Sequence, residues 1–459
     1  MFQTVFQWFV LISTILLALY IAKSFIVSLM ESYGRGTAEP IDASTVEPTD
    51  TGSAEPNDTG SVESIDTGSI EPTDTVAESD RPFFAFRNAA FWQIILLAAV
   101  SRVVLYGVAY LSARIFINFE GGFFEGLPEL WQRSDAPHYI SIVEDGYVNV
   151  GEDKVFLVFL PFYPIVIKCV SLVFGSPVFS GILVSILSFI AACLLVYEVS
   201  LLMGRDEETA FLAAKYAVLF PASMFINGSF SEGLFLLLSA LFFHAMLRKK
   251  WTAAACFGLL ASFTRYYGLL LAAPYAMECA SDLAGFRFRG FSRVLRRVLP
   301  IFLIPVGAGL FLVVNYIVSG NFFQFLIYQR EHWDQRFSFF FKNMGALAAN
   351  AISYNNSVSA SLFIPQVIFI FLFILIMIYS ALSGFRASML AYLGLYFLLS
   401  ISARWMLSFP RYIFGAAPVF LVMAEIGRRG KNVDALMTLF CAAGLFFFTI
   451  AYACGFHVY

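Results

Sequence analysis

Residues 361–383 read SLFIPQVIFIFLFILIMIYSALS, a run without one acidic or basic side chain. An α-helix needs about 20 apolar residues to cross the hydrocarbon of a bilayer, and this run supplies them. In lipid the backbone must satisfy its own polar groups, which a helix does within one segment. Working outward, similar runs predict helices at about 89–118, 157–174, 177–203, 209–226, 232–248, 297–318, 388–404, 409–427 and 435–454. Residues 5–30 are apolar enough to span as well, with no convincing cleavage site for a removable signal. None of these runs alternates residue by residue as a barrel strand would. The expected fold class is therefore all-α and polytopic, with about 11–13 transmembrane or re-entrant helices.

Composition agrees. The 459 residues are 59% hydrophobic and 17% aromatic but only 13% charged, roughly half the charged share of a soluble domain. The net charge of −3 hides two opposed regions. Residues 31–80 hold thirteen acids and one base, Arg35, giving −12, so the remainder carries +9. Those bases sit in short loops between helices, which fits basic cytoplasmic turns and does not suggest nucleic acid as a partner. The six cysteines are scattered in apolar segments without a CxxC pair and read as small core residues.

From Val46 an octapeptide repeats as VEPTDTGS, AEPNDTGS, VESIDTGS and then IEPTDT. It carries no aromatic residue and cannot bury enough surface to fold, so a flexible acidic tether is expected. The predicted plan is a transmembrane helix over 1–30, the repeat linker over 31–87 and a multispanning catalytic domain over 88–459. The bases at 248–250 and from Arg287 to Arg297 should both be cytoplasmic, so 251–282 is read as a hairpin of two short helices. The loop at about 119–156 holds eight acids against Arg133 and Lys154 and is placed outside. Two full spans over 157–203 would then put Arg205 outside as well, so one of those helices should be partial or re-entrant. A second external loop, about 319–360, is amphipathic and aromatic, suited to lying over the first.

Ionisable groups are expensive beside lipid, so the acidic loop is the first place to seek chemistry. It contains Trp131, Arg133, Asp135, His138 and Tyr139, and Tyr163 follows in Pro161-Phe-Tyr-Pro164. An Asp can take the proton of an incoming hydroxyl while that oxygen attacks an electrophilic carbon. If the electrophile is a sugar on a lipid phosphate, arginines can stabilise the departing anion. Arg265 and Arg411, near predicted helix ends, are the candidates. Each residue also has a plainer reading. Asp135 could be one solvated acid among eight, His138 could orient structure, and Arg265 and Arg411 could be interfacial anchors. Glu232 could serve the N-terminal dipole of its helix, and the aromatics could form an interfacial belt. No second His near His138 suggests a metal ligand set, and no cofactor is expected.

The pattern Trp131…Asp135…His138-Tyr139…Gly146-Tyr147, followed by Phe159-Leu-Pro-Phe-Tyr163-Pro164, resembles the first luminal loop of PIG-V-type mannosyltransferases. The resemblance continues through 220–225, 229–235, Thr264-Arg265-Tyr-Tyr-Gly268 and Ser408-Phe-Pro-Arg411-Tyr412, covering about 89–427 in order. Here Gln-Arg-Ser separates Trp131 from Asp135, and Phe230 stands where the family has tyrosine. The resemblance implies a GT-C glycosyltransferase fold and a polyprenyl- or dolichyl-phosphate sugar donor, with mannose as the hexose. It implies direct inversion with Asp135 catalytic; the acceptor, a glycan or lipid on the outer face, is left unidentified, and the absence of an endoplasmic-reticulum retrieval signal favours a bacterial cell membrane. Arg133, His138, Tyr139, Tyr163, Glu232, Arg265 and Arg411 are then the expected substrate-binding residues. The competing class is a transporter or flippase of lipid-linked sugars, which should show two similar halves; the hydrophobic body shows none.

Overall fold

The computed structural model describes residues 2–37, 89–284, 291–353, 356–404 and 408–458. The acidic octapeptide repeats lie outside the described residues. Among those described there is no sheet, only an isolated antiparallel bridge between Phe337 and Ala403. The protein is an all-α, multi-pass membrane protein, as its composition demands.

Helices α1 (Phe2–Thr37) and α2 (Ala89–Phe116) are followed in the first loop by α3 (Phe123–Trp131) and α4 (Ala136–Asp145). Then come α5 (Phe162–Phe174), α6 (Pro177–Leu202), α7 (Glu207–Leu219), α8 (Glu232–Leu247), α9 (Trp251–Thr264), α10 (Ala272–Ala284) and α11 (Phe291–Val298). After α12 (Leu303–Ser319) the second loop carries α13 (Gln324–Trp333), α14 (Phe340–Ser353) and the single turn α15 (Asn356–Val358). The chain closes with α16 (Ile364–Leu382), α17 (Ala387–Ile401), α18 (Phe409–Phe414), α19 (Pro418–Gly427) and α20 (Lys431–Ala453). Among the described residues six helical stretches are long and apolar enough to span, a bent pair makes a seventh when counted as one span, and five further apolar helices are shorter.

Ion pairs sort the helix ends. Arg205 and Arg428 both pair with Glu425, Lys249 and Arg297 share Asp282, and Arg386 grips Glu278 through two bonds of 2.6 and 2.5 Å. This basic end is cytoplasmic by the charge rule. At the opposite, outer end lie both external loops, of which the first is the acidic one. Helix α1 joins the two: Gln7 donates to the Phe341 carbonyl at 2.8 Å in the second loop. Tyr20 to Ser32 face a cavity of about 930 Å³ shared with Lys249, Asp282 and Arg386. The Gln7 end of α1 therefore lies beside the second loop and its Ser32 end beside the basic cluster.

The parity problem at 157–203 is resolved by α5. It runs back along α6, with Tyr163 bonded to Ser185 at 2.8 Å and Phe174 against Phe179 at 5.6 Å. Both ends of α5 thus stay on the outer side, and α6 alone crosses to Arg205. The helix expected over 209–226 breaks at Phe220, where α7 meets a 3₁₀ turn, Pro221–Asn227, at 65°. Pro221 has no N–H to give and its ring would clash with the preceding turn. The buried Arg102 of α2 holds the break, donating to the carbonyls of Val218 and Ser223, to Ser223 Oγ and to Asn227 Oδ1. The helix expected over 409–427 is likewise split, into α18 and α19, where Pro418 begins the second piece. The hairpin over 251–282 is observed as α9 and α10.

The two external loops pack on one another. Tyr328 of α13 is buried against Leu157 and Val158, and Trp333 meets Phe159 edge-on at 6.4 Å.

Candidate active site

Asp135 immediately precedes α4, a position where aspartate normally caps the helix. Here its side chain makes no capping bond. The turn before it, with Ser134 at φ +58°, directs the carboxylate inward instead, to Arg411 Nη2 at 2.6 Å.

Glu232 is the first residue of α8, favourably placed for the helix dipole. That alone does not account for it, because its Oε1 receives Arg265 Nη1 at 2.5 Å and also Arg411 Nε. Its other oxygen, Oε2, is buried and has no hydrogen-bond partner among the described residues. Gly233 lets this corner approach α6 closely, since a Cβ there would meet the Ser185 carbonyl at 2.6 Å.

Arg265 follows α9 with extended backbone, which swings its side chain away from the helix axis. The side chain is only 14% exposed, so the arginine turns into the protein rather than snorkelling to water. It also donates to Ser231 Oγ at 3.3 Å, and that hydroxyl pairs with Tyr139 OH at 3.0 Å. Arg411, on α18, is 5% exposed and lies over the rings of Phe225 and Phe230 at 5.0 and 4.9 Å. Desolvated cation–π contacts of this kind are worth about 2 kcal/mol. Two arginines and two carboxylates thus converge from α4, α8, α9 and α18, and their formal charges cancel.

The other expected residues divide. Tyr139 is brought to the cluster through Ser231, and burial pushes its phenol up to about 12, so it stays protonated. His138, half-buried, lies against Phe156 and Phe159 at 4.3 and 5.5 Å. Burial lowers its pKa against the opposing charges of Asp135 and Asp153, so the imidazole is mainly neutral at pH 7. Tyr163 is fully buried and spends its hydroxyl on Gly181 and Ser185; it touches the site only through the ring of Tyr139, 5.0 Å away. Arg133 is held elsewhere. Its guanidinium donates to the carbonyls of Tyr452 and Ala453 at 3.0 and 3.1 Å, capping α20 rather than facing the cluster.

Sequence reasoning missed three parts: Ser231 as a shared hydroxyl, the phenylalanine pair around Arg411, and Tyr452, which stacks on Trp131 at 5.5 Å and donates to the Arg133 carbonyl at 3.1 Å. Phe225 and Phe230 fall inside matched segments, but nothing in the sequence pairs them with an arginine far downstream. Two more buried polar atoms, Gln132 Oε1 and Ser134 Oγ, lack partners among the described residues. Both flank Asp135 in the turn that separates it from Trp131. Such groups are costly unless something completes them, and a polyhydroxylated molecule would. Among the described residues no group of three His, Cys, Asp or Glu side chains could hold a metal ion.

The sequence matches no protein-family profile and no curated protein. Among solved structures the chain is similar to the oligosaccharyltransferase of Archaeoglobus fulgidus in its apo form, at 10% identity and TM-score 0.43. The match covers 82% of this chain and 57% of that one. The archaeal oligosaccharyltransferase AglB from the same organism, in complex with an inhibitory peptide and a dolichol-phosphate, gives 10% identity and TM-score 0.41, with the same coverage. The chain therefore spans little more than half the length of these structures.

Proposed function

We propose that this chain is a membrane glycosyltransferase of the GT-C type, moving a hexose from a polyprenyl-phosphate donor to an acceptor at the outer face. Mannose is the hexose we favour, on the resemblance of the loop motifs, and a bacterial cell membrane the location. The observation that carries the reading is the convergence of Asp135, Glu232, Arg265 and Arg411 from four separate elements.

In this mechanism the Asp135 carboxylate, 28% exposed and therefore open to substrate, takes the proton of an acceptor hydroxyl. The acceptor oxygen forms a bond to the anomeric carbon while the bond from that carbon to the phosphate oxygen breaks. The electron pair leaves on the lipid phosphate, and the configuration inverts. Arg265, less enclosed than Arg411, meets the developing charge first, and Arg411 supports it from beneath. Glu232 aligns both guanidinium groups and offers Oε2 to a sugar hydroxyl. Neutral, half-buried His138 lines the approach, and buried Tyr139 supports Arg265 through the Ser231 hydroxyl.

The test is purified protein in liposomes with labelled polyprenyl-phosphate-mannose, a panel of glycan and lipid acceptors, and Asp135→Asn as control. Transfer by the wild type and its loss in the variant are expected. Failure to release sugar from any lipid-phosphate donor would overturn the enzyme and favour a transporter.

A further inference from the structure

A second cavity, about 490 Å³, opens at the outer end and is lined by none of the four cluster residues. Its walls carry Arg336, Lys342 and Arg404 against one acid, Asp334, with Asn343 and Asn350 completing the rim. Three cations on an external surface run against the usual concentration of bases on the cytoplasmic side. They are not dispersed, either. The backbone bond from Arg404 N to the Arg336 carbonyl, 2.9 Å, and that from Ser338 N to the Ser402 carbonyl, 2.8 Å, hold the two arginines side by side.

Asp334 only partly compensates them, at 3.0 Å from Arg336 and 3.8 Å from Arg404. Lys342 has no carboxylate partner among the described residues. It stands in the first turn of α14, which contains no acid and presents the positive end of the helix dipole. The surroundings are those of a membrane interface. Phe337 and Phe339 are 83% and 62% exposed beside the cavity, and α1, which packs on α14, exposes Phe2, Val5 and Trp8.

We infer that this cavity binds the phosphate of an anionic lipid in the outer leaflet, with the lipid chains lying along the exposed face of α1 and α14. The group recognised is a phosphate mono- or diester. Free phosphate shares that chemistry but has no use for the aromatic flank. The inference does not depend on the proposed transferase activity.

The experiment is native mass spectrometry of the full chain in detergent with phosphatidylglycerol, phosphatidylcholine or inorganic phosphate. Phosphatidylglycerol should be retained over phosphatidylcholine. Lys342→Gln should weaken that retention about five-fold, the effect of one base near an anionic lipid surface, and Lys342→Arg should restore it. Lys342 is exposed, so neither variant threatens folding, and a melting temperature equal to wild type checks this. Equal retention of both lipids, an unchanged Lys342→Gln, or displacement of the lipid by inorganic phosphate would overturn the inference.

Discussion

The Arg411 guanidinium lies 2.6 Å from the Asp135 carboxylate, and the arginine is the more buried of the two, 5% exposed against 28%. The pair is therefore unequal. Asp135 can lose its charge and leave Arg411 still bonded to Glu232, whereas loss of Arg411 strips support from two carboxylates at once.

Asp135→Asn should fold with a stability loss of about 1 kcal/mol, since the amide oxygen still accepts from Arg411. If Asp135 is the general base, transfer should fall by 10²–10⁴-fold. Thermal unfolding and initial rates on the same preparation measure both; full activity in a folded variant would remove Asp135 from the mechanism.

Arg411→Met should behave differently, costing about 3–5 kcal/mol because buried Glu232 loses one of its two partners. Arg411→Lys should rescue little, as an ammonium cannot serve Asp135 and Glu232 in a fork. A melting temperature near wild type for Arg411→Met would contradict the geometry.

Arg133→Ala should cost about 1–2 kcal/mol through the lost cap of α20, with a donor KM within two-fold of wild type. A selective rise in KM would return Arg133 to the substrate site.

The acid limb of stability should depend on His138. Burial holds its folded pKa below the unfolded value of about 6.5, so the unfolded chain binds the extra proton. Stability is fully present above pH 6.5 and is lost as pH falls towards the folded pKa. His138→Gln should flatten that part of the profile, which unfolding at pH 7.5 and 5.5 would reveal.

Gly233→Ala places a methyl 2.6 Å from the Ser185 carbonyl. It should cost about 1–3 kcal/mol by pushing α8 from α6 and should reduce transfer by moving Glu232. Unaltered stability would mean the corner is softer than its packing suggests.

The multispanning class was legible because apolar runs of spanning length have few alternative readings. So were Asp135, Glu232, Arg265 and Arg411, since charges beside lipid are rare enough to stand out. Other roles depended on partners distant in sequence. Arg133 looks like a site residue until the end of α20 arrives beneath it, and Arg102 has no acid because the carbonyls freed by the Pro221 break satisfy it. The retreat of α5 was visible only as a parity conflict. Hydropathy records length and composition but not the direction in which a short helix returns.

The cancellation of two arginines by two carboxylates has a kinetic corollary. A neutral centre projects no long-range field into the surrounding solution. Any dependence of donor capture on ionic strength should then come from the surrounding first loop, with its eight acids against two bases, rather than from the four clustered charges.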